Sequence, residues 1–173
     1  DQLADNNVPV FCGQEFRANE IFAAVMNGQI ARWDGILTDL RANKKYIMDA
    51  LVNDCKFIES NDIEGDCGTT IGIRFDDADK AKDVATKICS TRPYDTGKHV
   101  YSNWTPIMEK RGAFNPLMDP FKMEANKDIV PNYTVDMCQK SLDILAQVAY
   151  IEVDPDWTKE DMDAVVAKVK AAL

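Results

Sequence analysis

Apolar residues recur along this chain at two spacings, and each spacing predicts a different backbone. Between Asn19 and Ile30, the residues Ile21, Ala24, Val25 and Gly28 fall on one stripe of a 3.6-residue period. A second helical pattern follows at once, with Trp33, Ile36, Leu37, Leu40, Ile47 and Leu51 near the same spacing. Together the two patterns predict a long linking helix, of the kind that runs between layers or between subunits. Ala24 and Gly28 carry so little side chain that a neighbour can approach that stripe closely.

Short β-branched runs predict the strands. NVPVFC at 7–12 ends at Gly13, CKFIE occupies 55–59, GTTIGIRF occupies 68–75 and VAYIEV occupies 148–153. Residues 77–90 predict an amphipathic helix through Ala78, Ala81, Val84, Ala85 and Ile88, and residues 136–147 predict another. Thr158 and Asp161 have the spacing of a capping box. Behind them Met162, Val165, Val166, Val169 and Leu173 form an apolar stripe, with lysines in the last turns where the helix dipole favours cations. Residues 91–135 hold five prolines and show no period; KHVY at 98–101 is their one strand-like island. So long an aperiodic stretch is often functional. Helices mixed with a few strands predict an α+β fold, a small, mostly antiparallel sheet covered by helices. The divisions expected are 1–52, strand, turn and linking helix, and 53–173, the α+β domain.

Composition narrows the chemistry. The 173 residues suffice for a core that buries roughly 70% of the unfolded surface. A net charge of −9 argues against non-specific binding to nucleic acid or to anionic membranes, which needs a basic face. No apolar run reaches the length of a membrane span, and no signal-peptide pattern opens the chain. The chain opens on Asp1 instead of methionine, as expected of a segment whose upstream part is removed or left out. Five cysteines, an odd number with no CxxC pair and mostly in apolar surroundings, predict reduced thiols and a cytoplasmic protein. The NWT and NYT sequons at 103–105 and 132–134 then read as chance matches.

Several active-site classes are excluded. His99 is the only histidine, which rules out two-histidine zinc motifs, and no serine sits in GxSxG. Neither GxGxxG nor GxxxxGK[ST] occurs, so no phosphate-cradling loop is written in the chain. An EF-hand starting at Asp154 needs glycine at 159 and glutamate at 165, where the chain has Lys159 and Val165. Asp76, Asp77, Asp79, Asp154 and Asp156 read as solvated carboxylates at helix starts. Taken alone, the residues compose no complete active site.

Three segments in order resemble a known family. GQEFRANEIFAAVMNGQIARWDGILTDLRANKKYI at 13–47 resembles the stretch after the cofactor lysine in DegT/StrS-type sugar aminotransferases. TGKHVYSNWTPIMEKRGAFNP at 96–116 is similar to that family's substrate-side loop. DMCQKSLDILAQVAYIEVDPDWTKEDMDAVVAKVKAAL at 136–173 looks like its closing helix–strand–helix. The resemblance implies the C-terminal small domain of a fold-type I pyridoxal-phosphate (PLP) enzyme, working as a homodimer. The cofactor lysine belongs to a large domain ahead of these segments: only 12 residues precede Gly13 and none is lysine. The implied activity is transfer of an amino group from glutamate to a keto-sugar or sugar nucleotide, with this chain inactive alone. The wording of GKHVYSNW resembles the branch that aminates an eight-carbon sugar acid, which points to lipopolysaccharide precursors.

The resemblance also implies site residues. Glu15 stands where the family has an asparagine that reaches the partner subunit's cofactor phosphate. A carboxylate there is repulsive unless protonated or bridged by a cation, which Arg17 can supply; a plain Glu15–Arg17 ion pair is the alternative. Lys98, His99, Tyr101 and Trp104 are the implied substrate contacts, although Tyr101 and Trp104 equally suit the packing of the loop. Two other readings stay open: a PLP-dependent sugar dehydratase of the same family, and a non-catalytic α+β module that binds a ligand or partner.

Overall fold

The structure, a computed structural model, describes residues 18–96, 100–113, 115–129 and 132–173. Two compact units emerge. One comprises 18–94 and 143–173 and holds the sheet; the described part of the other lies within 95–142. The strand expected at 7–12 lies outside the described residues.

In the sheet unit, three strands run in the order β1 (Lys56–Phe57), β2 (Thr70–Arg74) and β3 (Val148–Glu152), antiparallel throughout. The register pairs Ile71 with Ile151 and Ile73 with Ala149, so one face of the sheet is uniformly apolar. Helix α2 (Trp33–Leu51) lays Leu40, Ile47 and Leu51 into the same core as Ile71, Ile73 and Ile151. Helix α6 (Lys159–Ala172) adds Met162 and Val169, and α3 (Ala78–Ile88) buries Ala81, Val84 and Ala85. Each large aliphatic side chain buried there stabilises the unit by about 1.5–3 kcal/mol relative to exposure. These elements realise the α+β class expected from the chain's periodicities.

Helix ends follow the polar residues. Thr158 makes the predicted capping box: its amide donates to the Asp161 carboxylate (2.9 Å), and the Asp161 amide donates to its hydroxyl (3.3 Å). Asp77 caps α3 by accepting from the Asp79 amide at 3.0 Å. Asn43 lies in the apolar stripe of α2 yet is buried, because its amide donates to the carbonyl of Asp154 at 2.9 Å. That bond ties α2 to the turn after β3.

Four expectations change. The long linking helix is two helices: α1 (Glu20–Ile30) ends in a turn at Ala31 and Arg32 before α2 begins. Trp33, at the head of α2, is 54% exposed and stays outside the core. At the end of α6 Ala172 is buried in place of Leu173, which is the cap residue beyond the last helical position and is 37% exposed. The cysteines are not mainly in apolar surroundings: Cys67, Cys89 and Cys138 are exposed and Cys55 is half-buried, all four as free thiols. Among the described residues no helix is long and apolar enough to cross a membrane.

The second unit is made of short turns of helix: 3-10 turns at Tyr101–Asn103, Pro116–Met118 and Glu124–Asn126, and α4 (Thr105–Met108). Helix α5 (Gln139–Ala146) contains the boundary between the units. Strand structure is absent from the described part of KHVY. Val100 is extended, but Tyr101 turns into 3-10 geometry with the Asn103 amide bonded to the Val100 carbonyl at 3.0 Å. Among the described residues Val100 has no neighbouring strand and so no ladder to join.

Candidate functional site

Of the six residues singled out in the sequence, Glu15, Arg17, Lys98 and His99 lie outside the described residues. Tyr101 and Trp104 sit in the second unit, three residues apart, Tyr101 as the first residue of a 3-10 turn and Trp104 as the residue that caps it. Their environments differ. The Tyr101 hydroxyl donates to the Val135 carbonyl at 2.9 Å and accepts from the Cys138 amide at 3.0 Å. It therefore clips residue 101 to the turn that leads into α5, with donor and one acceptor position both used. Trp104 is 43% exposed, and its carbonyl accepts the amides of Ile107 and Met108 at the head of α4. That leaves the indole as the aromatic surface open to a ligand.

Around this turn the loop is held by side chains bonding to nearby backbone. Asn103 donates to the Thr96 carbonyl (3.2 Å), the Asn115 side chain accepts from the Leu117 amide (3.0 Å), and Asn126 donates to the Pro120 carbonyl (2.9 Å). Asp119 is the centre of the arrangement and is 1% exposed. It accepts from the Phe121 amide at 3.0 Å, and the Lys122 ammonium stands 3.0 Å from its other oxygen. The Lys122 contact is ionic in geometry, without the alignment of a good hydrogen bond. Burial pushes the Asp119 pKa up, but Lys122 and the amides of Phe121 and Gly112 outweigh it and hold it below the ordinary value. Gly112 is obligatory here, because a Cβ would lie 1.9 Å from an Asp119 oxygen.

Asp119 and Arg92 are the buried charges that sequence reasoning missed. Arg92 belongs to the sheet unit, is 7% exposed, and donates to the carbonyls of Ala78 and Ala146, each at 3.3 Å. Neither residue falls in a periodic segment, so no spacing marked it; the Pro that follows each was the only local signal. Both act on backbone carbonyls or amides, which is positioning work.

Several titratable side chains elsewhere are likewise engaged in structure. Asp66 is held below the ordinary carboxylate value, first by Lys44 at 2.8 Å and then by the Gly68 amide. Asp163 is lowered by Lys159 and by the Tyr46 hydroxyl, which donates to it at 2.6 Å. The Cys55 thiol is pushed up to about 11, by burial first and by Asp54 second, so it stays protonated and unreactive at neutral pH. Among the described residues no group of His, Cys, Asp and Glu could hold a metal ion. No protein-family model matches the chain.

Proposed function

We propose that this chain is the C-terminal part of a PLP-dependent sugar aminotransferase, supplying loop and helix surface to a catalytic domain that carries the cofactor. The observation that carries the proposal is helix α1. It has no buried residue, and Ile21 (78% exposed), Phe22 (56%), Val25 (56%) and Ile30 (62%) all face water. A helix so apolar and so uncovered is stable only against another protein surface. It is also the segment whose wording resembles the family's stretch after the cofactor lysine, so the cover that suits it is the cofactor-bearing large domain or the partner subunit.

The described residues do not themselves make a cofactor site. Tyr101, the hydroxyl best placed by sequence, is engaged by Val135 and Cys138. The amide groups of the 101–126 turns serve Asp119, Asn115 and each other. What this chain contributes on the proposed reading is substrate contact, with Trp104 offering an aromatic face to a sugar ring. The acceptor is a keto-sugar or sugar nucleotide, the donor glutamate and the assembly a homodimer in the cytoplasm.

The test is intact-mass and peptide analysis of the protein isolated from its natural source with PLP, before and after borohydride reduction. The expected result is a reduced pyridoxyl-lysine on polypeptide joined to or co-isolating with these residues, and none specific to residues 18–173. Isolation with no pyridoxyl-lysine anywhere in the assembly overturns the proposal and favours a non-catalytic binding module.

A further inference from the structure

A groove of about 610 Å³ opens in the sheet unit between α2 and the segment 57–68. It belongs to the sheet unit alone and does not depend on the proposed aminotransferase role. Its lining is mainly apolar: Met48, Phe57, Ile58 and Ile63, with Ile58 45% and Ile63 80% exposed at its mouth. The volume lies in the range that takes a small molecule, and charged and polar groups of both signs stand among the apolar walls.

The polar groups are unequal. Arg41, Lys44 and Lys45 line the α2 wall, and three carboxylates, Asp49, Glu59 and Asp66, line the groove with them. Lys44 is neutralised by Asp66 at 2.8 Å and Lys45 by Asp49 at 2.6 Å. Arg41 donates through Nε to the carbonyl of Asp66 at 2.7 Å, a neutral partner that fixes the guanidinium plane without neutralising it. Among the described residues Arg41 is the groove cation with no carboxylate at ion-pair distance. Its location is also fixed: Gly68, with φ of +80°, packs so tightly on the backbone of Leu40 and Arg41 that a Cβ would meet it at 2.9 Å. From Arg41 the groove follows α2 to Met48, seven residues on the same helix face, or about 10 Å at the helical rise.

We propose that this groove binds a small anionic amphiphile, a carboxylate with an apolar body about 10 Å long. The carboxylate pairs with the Arg41 fork, which matches its two oxygens, and the body lies along Met48, Phe57, Ile58 and Ile63. The occupant is a small molecule, because the one unneutralised cation of the groove stands at one end and the apolar wall ends within about 10 Å of it.

The test uses octanoate as probe on the full chain, read by methyl NMR shifts of Met48, Ile58 and Ile63. The expected result is a saturable shift of all three, about tenfold weaker with octanol, which keeps the body and loses the charge. Arg41→Gln reduces octanoate affinity to the octanol level with the apo spectrum otherwise kept; Lys45→Gln leaves it unchanged. Should Arg41→Gln perturb the fold, Arg41→Lys serves instead, retaining charge, losing the fork and giving intermediate affinity. Non-saturable shifts, equal binding of octanol and octanoate, or loss of the shifts on dilution as self-association is reversed would each overturn the proposal.

Discussion

Cys89 is the last residue of the α3 turn and has φ of 57°, the left-handed conformation that closes helices. Its amide bonds back to Thr86 at 3.2 Å and the next amide to Ala85 at 2.9 Å, so the geometry is imposed by the cap and not by the thiol. A Cβ is strained there. Cys89→Gly therefore raises stability by about 1 kcal/mol, measured as a higher urea midpoint at unchanged slope. Acid sensitivity belongs to the same scale. The native pKa of Asp66 lies below its ordinary 3.8, so the unfolded chain binds the proton first as pH falls. The stability it contributes is complete above about pH 4–5 and is lost as pH drops through the native value. Asp161, lowered by the Thr158 amide and then its hydroxyl, adds in the same direction. Urea midpoints followed from pH 6 to pH 3 fall for the natural chain, and Asp66→Asn flattens part of that fall. Asp66 and Asp161 were in view in the sequence as acidic residues near turns, whereas the partners that shift them were legible only for Asp161, three residues from its cap.

At the scale of elements, the helices with one apolar stripe were legible because period and burial coincide. Thr158 and Asp161 announced α6, and both bonds of the box are present. Thr158→Ala leaves the Asp161 amide without its side-chain acceptor and costs about 1 kcal/mol of unfolding free energy, readable by denaturant titration. α1 shows where period alone misleads. Its pattern continues into that of α2, but a stripe states only that a face is apolar, not that the same chain covers it. The turn at Ala31 and Arg32 contains no glycine or proline to mark it. Because Val25 is 56% exposed, Val25→Glu changes the stability of the chain by less than about 0.5 kcal/mol. On the proposed function it nevertheless abolishes co-isolation with the cofactor-bearing domain; co-isolation unimpaired by that charge counts against α1 as the covered face. Of the strand expected at 98–101, the described residues 100 and 101 form none, for a different reason. β-branched and aromatic residues favour a pleated surface only where a neighbouring strand exists, and Tyr101 instead spends its hydroxyl on the turn before α5.

At the scale of the molecule, the core is closed by segments distant in sequence. β2 pairs with β3 from Thr70↔Glu152 to Arg74↔Val148, and Leu40, Ile47 and Leu51 meet Met162 and Val169 from the far end of the chain. Hydrophobic period gave the class of each segment, but no local signal states which strand lies beside β2, so the sheet order could not be read from spacing. The sheet unit is consequently discontinuous, 18–94 with 143–173. A chain ending at residue 94 keeps β1 and β2 as a two-stranded pair, one of them two residues long, and exposes Ile71, Ile73 and the inner stripe of α2. α2 still packs on β2, but the third strand, β3, and the α6 cover contributed by Met162 and Val169 are lost, and a two-stranded pair is marginal in water. The truncated chain is therefore expected to lose the cooperative unfolding transition seen for residues 1–173 by circular dichroism. A cooperative transition retained by the truncated chain would place the stabilising core within 18–94, contrary to the burial of Ile151, Met162 and Val169 against it. The long aperiodic segment between the two halves is thus free of the requirement to build the core, which leaves its side chains, Trp104 foremost, available for recognition.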